Sequence, residues 1–468
     1  MGESRHAVRF PRARVYRALL VPLIALSICT GGLLVLRADS RPVRYVINVP
    51  GDRLPAQLSE AVEQSGGRLV RRLPQIGVAI ALSSNPGFVR ALATMPGLTI
   101  ESVGRVAVDQ IPPTISGNAL DGPTAADDLY NSGKLWGVNR VRADLAWSAG
   151  FTGSHRTVVA VIDSGIAWNH PDLQPNVVFA TCITSSPPCI PYPWFSDHGT
   201  HVAGTIAGAF GGGSVIGVGP HLALASYNIF EFIPDCGFCS YVDSRWAAMM
   251  DAARRGSAVI NVSLGHTRML GGRGSNDVAA HIAAEKKVAN YVSRANTVTI
   301  SSAGNSSLNL VGPIVHLPGD IPALVNVAAT IIRPLPVYPQ AGAFDAPAFY
   351  SNFGAPITIG APGGDLGPDD PGTADPIEYM VISTGVSPDS DCALTASCPV
   401  FYDWKIGTSM AAAHVTGTAG LIRDANPSLT ARQVTALLKR TADKSGSRQL
   451  FGHGVVDAFA ALQTAVKP

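Results

Sequence analysis

The sequence predicts an α/β fold with a parallel sheet covered by helices on both faces, preceded by a small ferredoxin-like α+β domain. Two observations lead to this prediction. Five runs rich in β-branched residues alternate with helical patterns, an alternation typical of parallel strands. These runs are residues 158–162, 222–228, 258–263, 297–302 and 324–329. Ahead of them, shorter elements follow the order βαββαβ, which is typical of a ferredoxin-like unit.

The first 40 residues predict an export signal. Five arginines precede an apolar stretch at residues 18–36, and small residues at Ala38 and Ser40 offer a cleavage site. The alternative is an uncleaved membrane anchor, because the apolar stretch approaches the length that spans a bilayer. We therefore expect a secreted, extracellular or periplasmic protein, with a membrane-anchored form as the alternative.

The ferredoxin-like prediction rests on residues 41–112. Helical spacing runs through Leu58, Ala61 and Val62, and alternating apolar residues indicate strands on either side. We expect strands at residues 44–49, 69–73, 77–82 and 98–108 and helices at residues 55–64 and 87–94.

Charge and cysteine usage narrow the class of protein. A net charge of +2 in 468 residues gives no indication of a nucleic-acid partner. Apart from Cys29 in the apolar stretch, the cysteines form close pairs, which predict disulfides in an exported chain. The pairs are Cys182 with Cys189, Cys236 with Cys239, and Cys392 with Cys398. Zinc at Cys236 and Cys239 is the alternative, but no second CxxC lies nearby.

Ser409 is the candidate nucleophile. It lies in the run GTSMAAAHVTG, whose small residues predict a buried helix with the serine in its first turn. The backbone N–H groups of a helix start can stabilise a developing oxyanion. A serine hydroxyl is a weak nucleophile, so this prediction requires a base and a group that orients the base.

Three other segments supply those groups. Asp163 ends an apolar β-branched run, His198 begins a second helix of small residues, and Asn305 follows a further strand. In an open α/β sheet such strand ends collect functional groups at one edge. A side-chain amide there can donate a hydrogen bond to an oxyanion.

In the order Asp, His, Asn, Ser, these segments resemble the subtilisin family of serine endopeptidases, the subtilases. The resemblance implies that Asp163 orients the imidazole, His198 acts as general base and then general acid, Ser409 attacks the scissile carbonyl, and Asn305 helps hold the oxyanion. Ala413 replaces a proline common in the family, with little effect expected.

The resemblance also implies a precursor. Residues 41–112 then correspond to a propeptide that acts as chaperone and inhibitor, and residues 113–468 to the catalytic domain. Self-cleavage is expected after the last strand of the propeptide, with Gln110 as the residue before the cut. The alternative is a permanent N-terminal domain that is never removed.

The substrate cleft is predicted from two segments of the same resemblance. Ser263, Leu264 and Gly265 are expected to pair with an extended substrate, and Ser302, Ala303 and Gly304 to form the opposite wall of the pocket. His316 lies near the position that closes this pocket, where it would favour polar or acidic side chains. The alternative is that Leu317 and Pro318 turn His316 outward to solvent.

No cofactor is expected for the chemistry. The resemblance implies a structural calcium ion bound by Asp172. Gly211 replaces an asparagine ligand of the family, which would weaken or abolish the site.

The expected partners are protein or peptide substrates and the chain's own propeptide, and a monomer is the default. Two rival functions are a membrane-tethered processing protease with a dedicated substrate and a non-catalytic peptide-binding fold.

Overall fold

The computed structural model describes residues 41–106, 128–186, 188–234, 236–270, 278–332, 344–367 and 376–467. The predicted export signal and the predicted cut at Gln110 lie outside these residues. Among the residues described, no helix combines the length and apolar character needed to cross a membrane.

The N-terminal domain is an antiparallel sheet with two helices. Its elements are β1 (Val43–Asn48), α1 (Leu58–Gln64), β2 (Gly67–Leu73), a 3-10 turn (Pro74–Ile76), β3 (Val78–Ser83), α2 (Phe88–Leu92) and β4 (Thr99–Ser102). The strand order is β2-β3-β1-β4, with each neighbouring pair antiparallel. Apolar side chains of both helices pack with β1 and β3 in one buried cluster that includes Ile47, Leu58 and Phe88. The order of these elements along the chain, βαββαβ, is that of the predicted ferredoxin-like unit.

The rest of the described chain alternates strands and helices. Its strands are β5 (Arg105–Val106), β6 (Val158–Asp163), β7 (Val177–Cys182), β8 (Ala223–Asn228), β9 (Glu231–Ile233), β10 (Gly237–Tyr241), β11 (Val259–Val262), β12 (His266–Met269), β13 (Val298–Ser302), β14 (Ile314–Leu317), β15 (Val325–Ile332), β16 (Phe344–Pro347), β17 (Ile359–Pro362), β18 (Val381–Val386) and β19 (Val400–Lys405).

Its helices are α3 (Asp128–Asn131), α4 (Trp136–Arg140), α5 (Ala143–Ser148), α6 (His198–Ala207), α7 (Val242–Arg254), α8 (Ala279–Arg294), α9 (Ser390–Thr395), α10 (Thr408–Ala425), α11 (Ala431–Thr441), α12 (Arg448–Phe451) and α13 (Ala458–Ala465), with a 3-10 turn at Pro376–Tyr379.

The main sheet has the strand order β16-β15-β13-β11-β6-β8-β7, with β17 also pairing to β15. Its described pairings are parallel except for the antiparallel edge strand β16. The predicted strands form the middle of this sheet, as β6, β8, β11, β13 and β15. The predicted fold class is therefore confirmed.

Both faces of the sheet are buried, which explains why its strands are continuously apolar. On β6, Val159 and Val161 point into the cluster formed with helices α6 and α10, whereas Ala160 and Ile162 point into the cluster formed with α7 and α8. Alternate side chains of a strand face opposite sides of a sheet, so an apolar run buries both.

The N-terminal domain packs on helices α7 and α8. Val46 and Ile80 belong to the same buried cluster as Trp246 and Val288. The Lys287 ammonium donates to the carbonyl oxygens of Val49 and Gly51, at 2.6 Å each. The two parts of the described chain thus share an apolar interface that also contains polar contacts.

The prediction of one long strand over residues 98–108 was wrong. β4 ends at Ser102, and β5 leaves the sheet to pair antiparallel with β10, so that Val106 lies opposite Ser240. Gly104 lies between the two strands, where a Cβ atom would lie 2.4 Å from a terminal nitrogen of Arg268. Residues 107 and 108 lie outside the described residues.

Candidate active site

Asp163 and His198 form a hydrogen-bonded pair at the carboxyl edge of the main sheet. Asp163 is the last residue of β6 and His198 the first of α6, and His198 Nδ1 lies 2.8 and 2.9 Å from the two Asp163 carboxylate oxygens. Close packing requires glycine at position 199, where a Cβ atom would lie 2.4 Å from the Gly165 carbonyl oxygen. An ionised carboxylate only accepts, so Nδ1 carries the proton and Nε2 presents a lone pair.

Ser409 is the second residue of helix α10 and is almost fully buried. Its hydroxyl donates to the Ser263 carbonyl oxygen at 3.2 Å. In this structure the hydroxyl is therefore hydrogen-bonded to the residue that follows β11, rather than to His198. Catalytic hydrogen bonds are commonly long or misaligned before substrate binds, so this geometry is compatible with a Ser409–His198 contact in the substrate complex.

Asn305 is fixed by the start of the Ser409 helix. Its side-chain oxygen accepts from the Thr408 backbone N–H at 2.9 Å and from the Thr408 hydroxyl at 2.8 Å. Because a backbone N–H can only donate, its partner must be the amide oxygen. This assigns the NH2 group of Asn305 to the opposite side, as an oriented hydrogen-bond donor.

The sequence did not predict the series of side-chain hydrogen bonds that holds helix α10 against β11. Thr416 donates to the Asn261 amide oxygen at 2.8 Å, the Asn261 amide donates to the Ser263 hydroxyl at 2.9 Å, and that hydroxyl donates to the Ser409 carbonyl at 3.0 Å. All of these side chains are buried. The signal available was the pair of polar residues within an otherwise apolar run at Ile260–Ser263.

His316 lies between the two predicted walls of the substrate pocket. Cβ atoms built on Gly265 and Gly304 would lie 2.0 Å from His316 Nε2 and 2.7 Å from its Cε1. The imidazole is 1% exposed and Nδ1 is 3.2 Å from the Thr267 hydroxyl. The alternative that His316 turns outward to solvent is therefore wrong, because β14 pairs with β12 and directs this side chain inward.

The predicted wall residues converge on the same region but differ in what they offer. The side chains of Ser263, Ser302 and Ala303 are buried, and Leu264 belongs to the apolar cluster under α7 and α8. Leu264 therefore contributes backbone rather than side chain to any substrate contact. Gly304 has φ of +94°, a conformation that favours glycine.

Two further histidines near the site are structural. His201 lies 3.1 Å from the Val381 carbonyl oxygen, and His414 Nδ1 lies 2.9 Å from that of Met410. Burial lowers the pKa of His201 to about 3 and that of His414 to about 4. Both imidazoles are thus neutral at ordinary pH.

Asp172, the residue expected to bind calcium, is completely buried. Its carboxylate accepts from the Val215 backbone N–H at 3.2 Å and contacts the Tyr402 hydroxyl, whose pKa is raised to about 12 by burial and by this carboxylate. Within the described ranges, no group of three or more His, Cys, Asp or Glu side chains could hold a metal ion. Calcium at Asp172 stays a prediction.

The structure contains the three predicted disulfides, Cys182–Cys189, Cys236–Cys239 and Cys392–Cys398. The CxxC pair is thus a disulfide and not a zinc ligand set. It joins Cys236, in the turn between β9 and β10, to Cys239 on β10, next to the β5 pairing at Ser240.

An oriented imidazole, a serine at a helix start and an amide donor at one sheet edge are the groups that acyl transfer by a serine hydrolase requires. Comparison with known proteins agrees with this chemistry. Residues 154–454 match the Subtilase family, and the chain belongs to that family. It is a subtilisin-like serine endopeptidase.

Individual relatives extend the match. Subtilisin of Bacillus pumilus is 30% identical over 331 residues, which cover 70% of this chain and 98% of that protein. Fervidolysin of Fervidobacterium pennivorans is 27% identical over 432 residues, covering 87% of this chain and 57% of that protein. The crystal structure of the epidermin leader peptide processing serine protease of Staphylococcus aureus has a TM-score of 0.70 at 20% identity, and covers 92% of this chain and 100% of that one. At that identity the likeness concerns the fold alone.

Proposed function

We propose that this chain is an exported endopeptidase in which Asp163, His198 and Ser409 form the catalytic triad. The observation that carries the proposal is the Asp163–His198 hydrogen bond of 2.8 Å, at the sheet edge where Ser409 and Asn305 also lie. His198 Nε2 takes the proton of the Ser409 hydroxyl as the oxygen attacks the scissile carbonyl, and then protonates the leaving amine. Water releases the acyl group by the reverse sequence.

The oxyanion of each tetrahedral intermediate would be bound by the Asn305 NH2 group and the Ser409 backbone N–H. Thr408 supports this role, because its two hydrogen bonds to the amide oxygen orient the amide before substrate arrives. A donor that is already oriented does not have to reorient during the reaction.

We infer that the N-terminal domain, residues 41–112, is a propeptide that inhibits residues 113–468 until it is cut, following export by residues 1–40. The pairing of β5 with β10 supports this proposal, since β5 adds to β10 as a substrate strand would. β5 ends at Val106, four residues before the proposed cut after Gln110.

The proposed substrates are extended protein or peptide segments. They would bind by backbone hydrogen bonds along Ser263–Gly265, with the residue before the scissile bond directed between that segment and residues 302–304. His316 at the end of this space would limit the size of that residue and favour polar or acidic groups. We propose a monomer in an extracellular or periplasmic location, with no nucleic-acid partner.

Intact mass spectrometry of the exported wild-type protein beside Ser409→Ala tests these proposals together. We expect the wild type to lose the segment up to about Gln110 and the variant to keep it. Loss of this segment from Ser409→Ala with no other protease present would exclude self-cleavage. If both proteins keep the segment, the N-terminal domain is permanent or the enzyme is inactive as made.

A further inference from the structure

A buried ion cluster joins the segment that carries His198 to the segment that carries Ser409. Lys405 is the last residue of β19 and lies four positions before Ser409, while Asp197 directly precedes His198. The Lys405 ammonium lies 3.1 Å from the Asp197 carboxylate and 2.5 Å from the Asp403 carboxylate. Lys405 and Asp403 are buried and Asp197 is largely so.

The Asp197 side chain makes no bond to its own helix. It occupies the N-cap position of α6, where aspartate commonly accepts from a backbone N–H, but its side chain forms no capping bond. Its ion pair with Lys405 is instead a contact between two different elements. By contrast, Asp403 is on the same strand as Lys405 and also accepts from the Trp404 backbone N–H at 2.8 Å.

The charges of the cluster favour the ammonium. Burial opposes ionisation of Lys405, but the two carboxylates outweigh it and raise its pKa. Burial raises the pKa of Asp197, and the nearby Asp403 charge adds to this effect. A buried ammonium of this kind is stable only while it is paired, so the geometry of the pair is strongly constrained.

The two sides of His198 are held by different contacts. On one side, Ser164 Oγ accepts from the Gly199 backbone N–H at 3.0 Å, beside Asp163. On the other side, Ser383 and Thr384 of β18 donate to carbonyl oxygens of α6, and β18 pairs with β19 so that Val381 lies opposite Lys405. The Asp197–Lys405 pair completes this second connection, one residue before His198.

We propose that Lys405 and Asp197 are positioning residues that set the distance between the His198 imidazole and the Ser409 hydroxyl. Neither residue takes part in proton transfer. The bridge fixes the start of α6 relative to the end of β19, from which the chain enters α10 within three residues. This inference rests on the proposed triad and adds to it a device that aligns base and nucleophile.

Asp197→Ala and Asp403→Ala form a matched pair of variants for the test. Asp197→Ala removes the ion pair with Lys405 and a side-chain contact with Asp403, both of them contacts between elements, and Lys405 keeps Asp403. Asp403→Ala keeps the ion pair between elements but loses a local backbone bond as well. Positioning predicts that Asp197→Ala is the more harmful to catalysis, whereas a merely structural role predicts that Asp403→Ala is.

The measurements are kcat and KM on a peptide p-nitroanilide and the rate at which a small fluorophosphonate labels Ser409. For Asp197→Ala we expect kcat and the labelling rate to fall together by about tenfold to a hundredfold with KM nearly unchanged, the effect of a small misplacement of reacting groups. Lys405→Met should match this loss without adding to it in the double variant, and Lys405→Arg should recover part of the rate.

Wild-type kcat and labelling in Asp197→Ala would overturn the inference, as would an equal or larger loss of both in Asp403→Ala. The wild-type protein and Ser409→Ala are run in parallel. Absence of labelling in the wild type would instead overturn the proposed triad itself, so the two failures are distinguishable.

Discussion

Arg44 of the N-terminal domain forms a two-bond ion pair with Asp243 at the start of helix α7. Arg44 Nε lies 2.9 Å from one Asp243 carboxylate oxygen and its terminal nitrogen 2.7 Å from the other. Arg71 adds a contact at 2.8 Å, and the Arg44 guanidinium lies over the Tyr241 ring. Asp243 is completely buried, so the two arginines supply its charge partners within the described interface.

Arg44→Ala is expected to weaken the attachment of the N-terminal domain. Removing one partner of a buried pair leaves the other charge poorly compensated, and we expect a loss of about 2 kcal/mol because Arg71 remains. Urea unfolding in the uncleaved Ser409→Ala background measures this loss. Arg90→Ala on α2 is the matched control, since Arg90 is exposed. Equal unfolding midpoints for the two variants would contradict a stabilising role for the Arg44–Asp243 pair.

Asn305→Ala is expected to reduce kcat by about a hundredfold to a thousandfold with little change in KM, as for loss of one oxyanion donor. Thr408→Val removes one of the two bonds that orient the Asn305 amide and keeps the backbone N–H bond, so its loss should be smaller. Steady-state kinetics on a peptide p-nitroanilide separates the two parameters. A wild-type kcat in Asn305→Ala would exclude Asn305 from the oxyanion site.

The sequence was sufficient to predict the middle of the main sheet, because buried parallel strands are continuous apolar runs. β6 and β13 begin and end close to their predicted bounds. The edge strands were not predicted. β7 is only partly buried, and the short strand β16 contains an aspartate and a proline. The course of β5 depends on a distant partner, β10, and this explains why residues 98–108 were wrongly taken as one strand.

The candidate site could be predicted only where the neighbouring residues in the sequence indicate a residue's role. Asp163, His198, Asn305 and Ser409 each lie at an element end with a distinctive flank, and the structure brings their elements to one sheet edge. Lys405 has no such flank, and its significance arises from a contact with Asp197, some two hundred residues earlier. Such contacts between distant segments cannot be inferred from periodicity.

His316→Gly is expected to enlarge the substrate pocket and shift its preference toward large apolar residues. The imidazole occupies the space between Gly265 and Gly304, so its removal opens that space. For peptides that differ only in the residue before the scissile bond, we expect the kcat/KM ratio of phenylalanine to alanine to rise about tenfold or more. Thr267→Val is the matched control, because it removes the partner of His316 Nδ1 but keeps the imidazole. An unchanged ratio in His316→Gly would mean that His316 does not face the substrate.

Acid is expected to destabilise the folded protein between about pH 6.5 and pH 4. Burial is the main cause that lowers the pKa of His170 and His414 to about 4 and of His201 to about 3, against 6.5 for an ordinary histidine. In this window the unfolded chain binds protons that the folded chain does not, so stability falls as the pH falls. Asp320 acts in the opposite direction, because burial raises its pKa to about 6 and its folded form takes up a proton first.

His170→Gln isolates one of these contributions. His170 Nε2 lies 3.0 Å from the Phe401 carbonyl oxygen, a contact that the glutamine amide can replace without titrating. We expect the dependence of unfolding free energy on pH to decrease by about 1.4 kcal/mol per pH unit in the window, the effect of one proton. Urea unfolding of Ser409→Ala with and without His170→Gln at several pH values measures the slopes while avoiding self-digestion. Identical slopes would show that His170 is protonated in the folded protein as readily as in the unfolded chain.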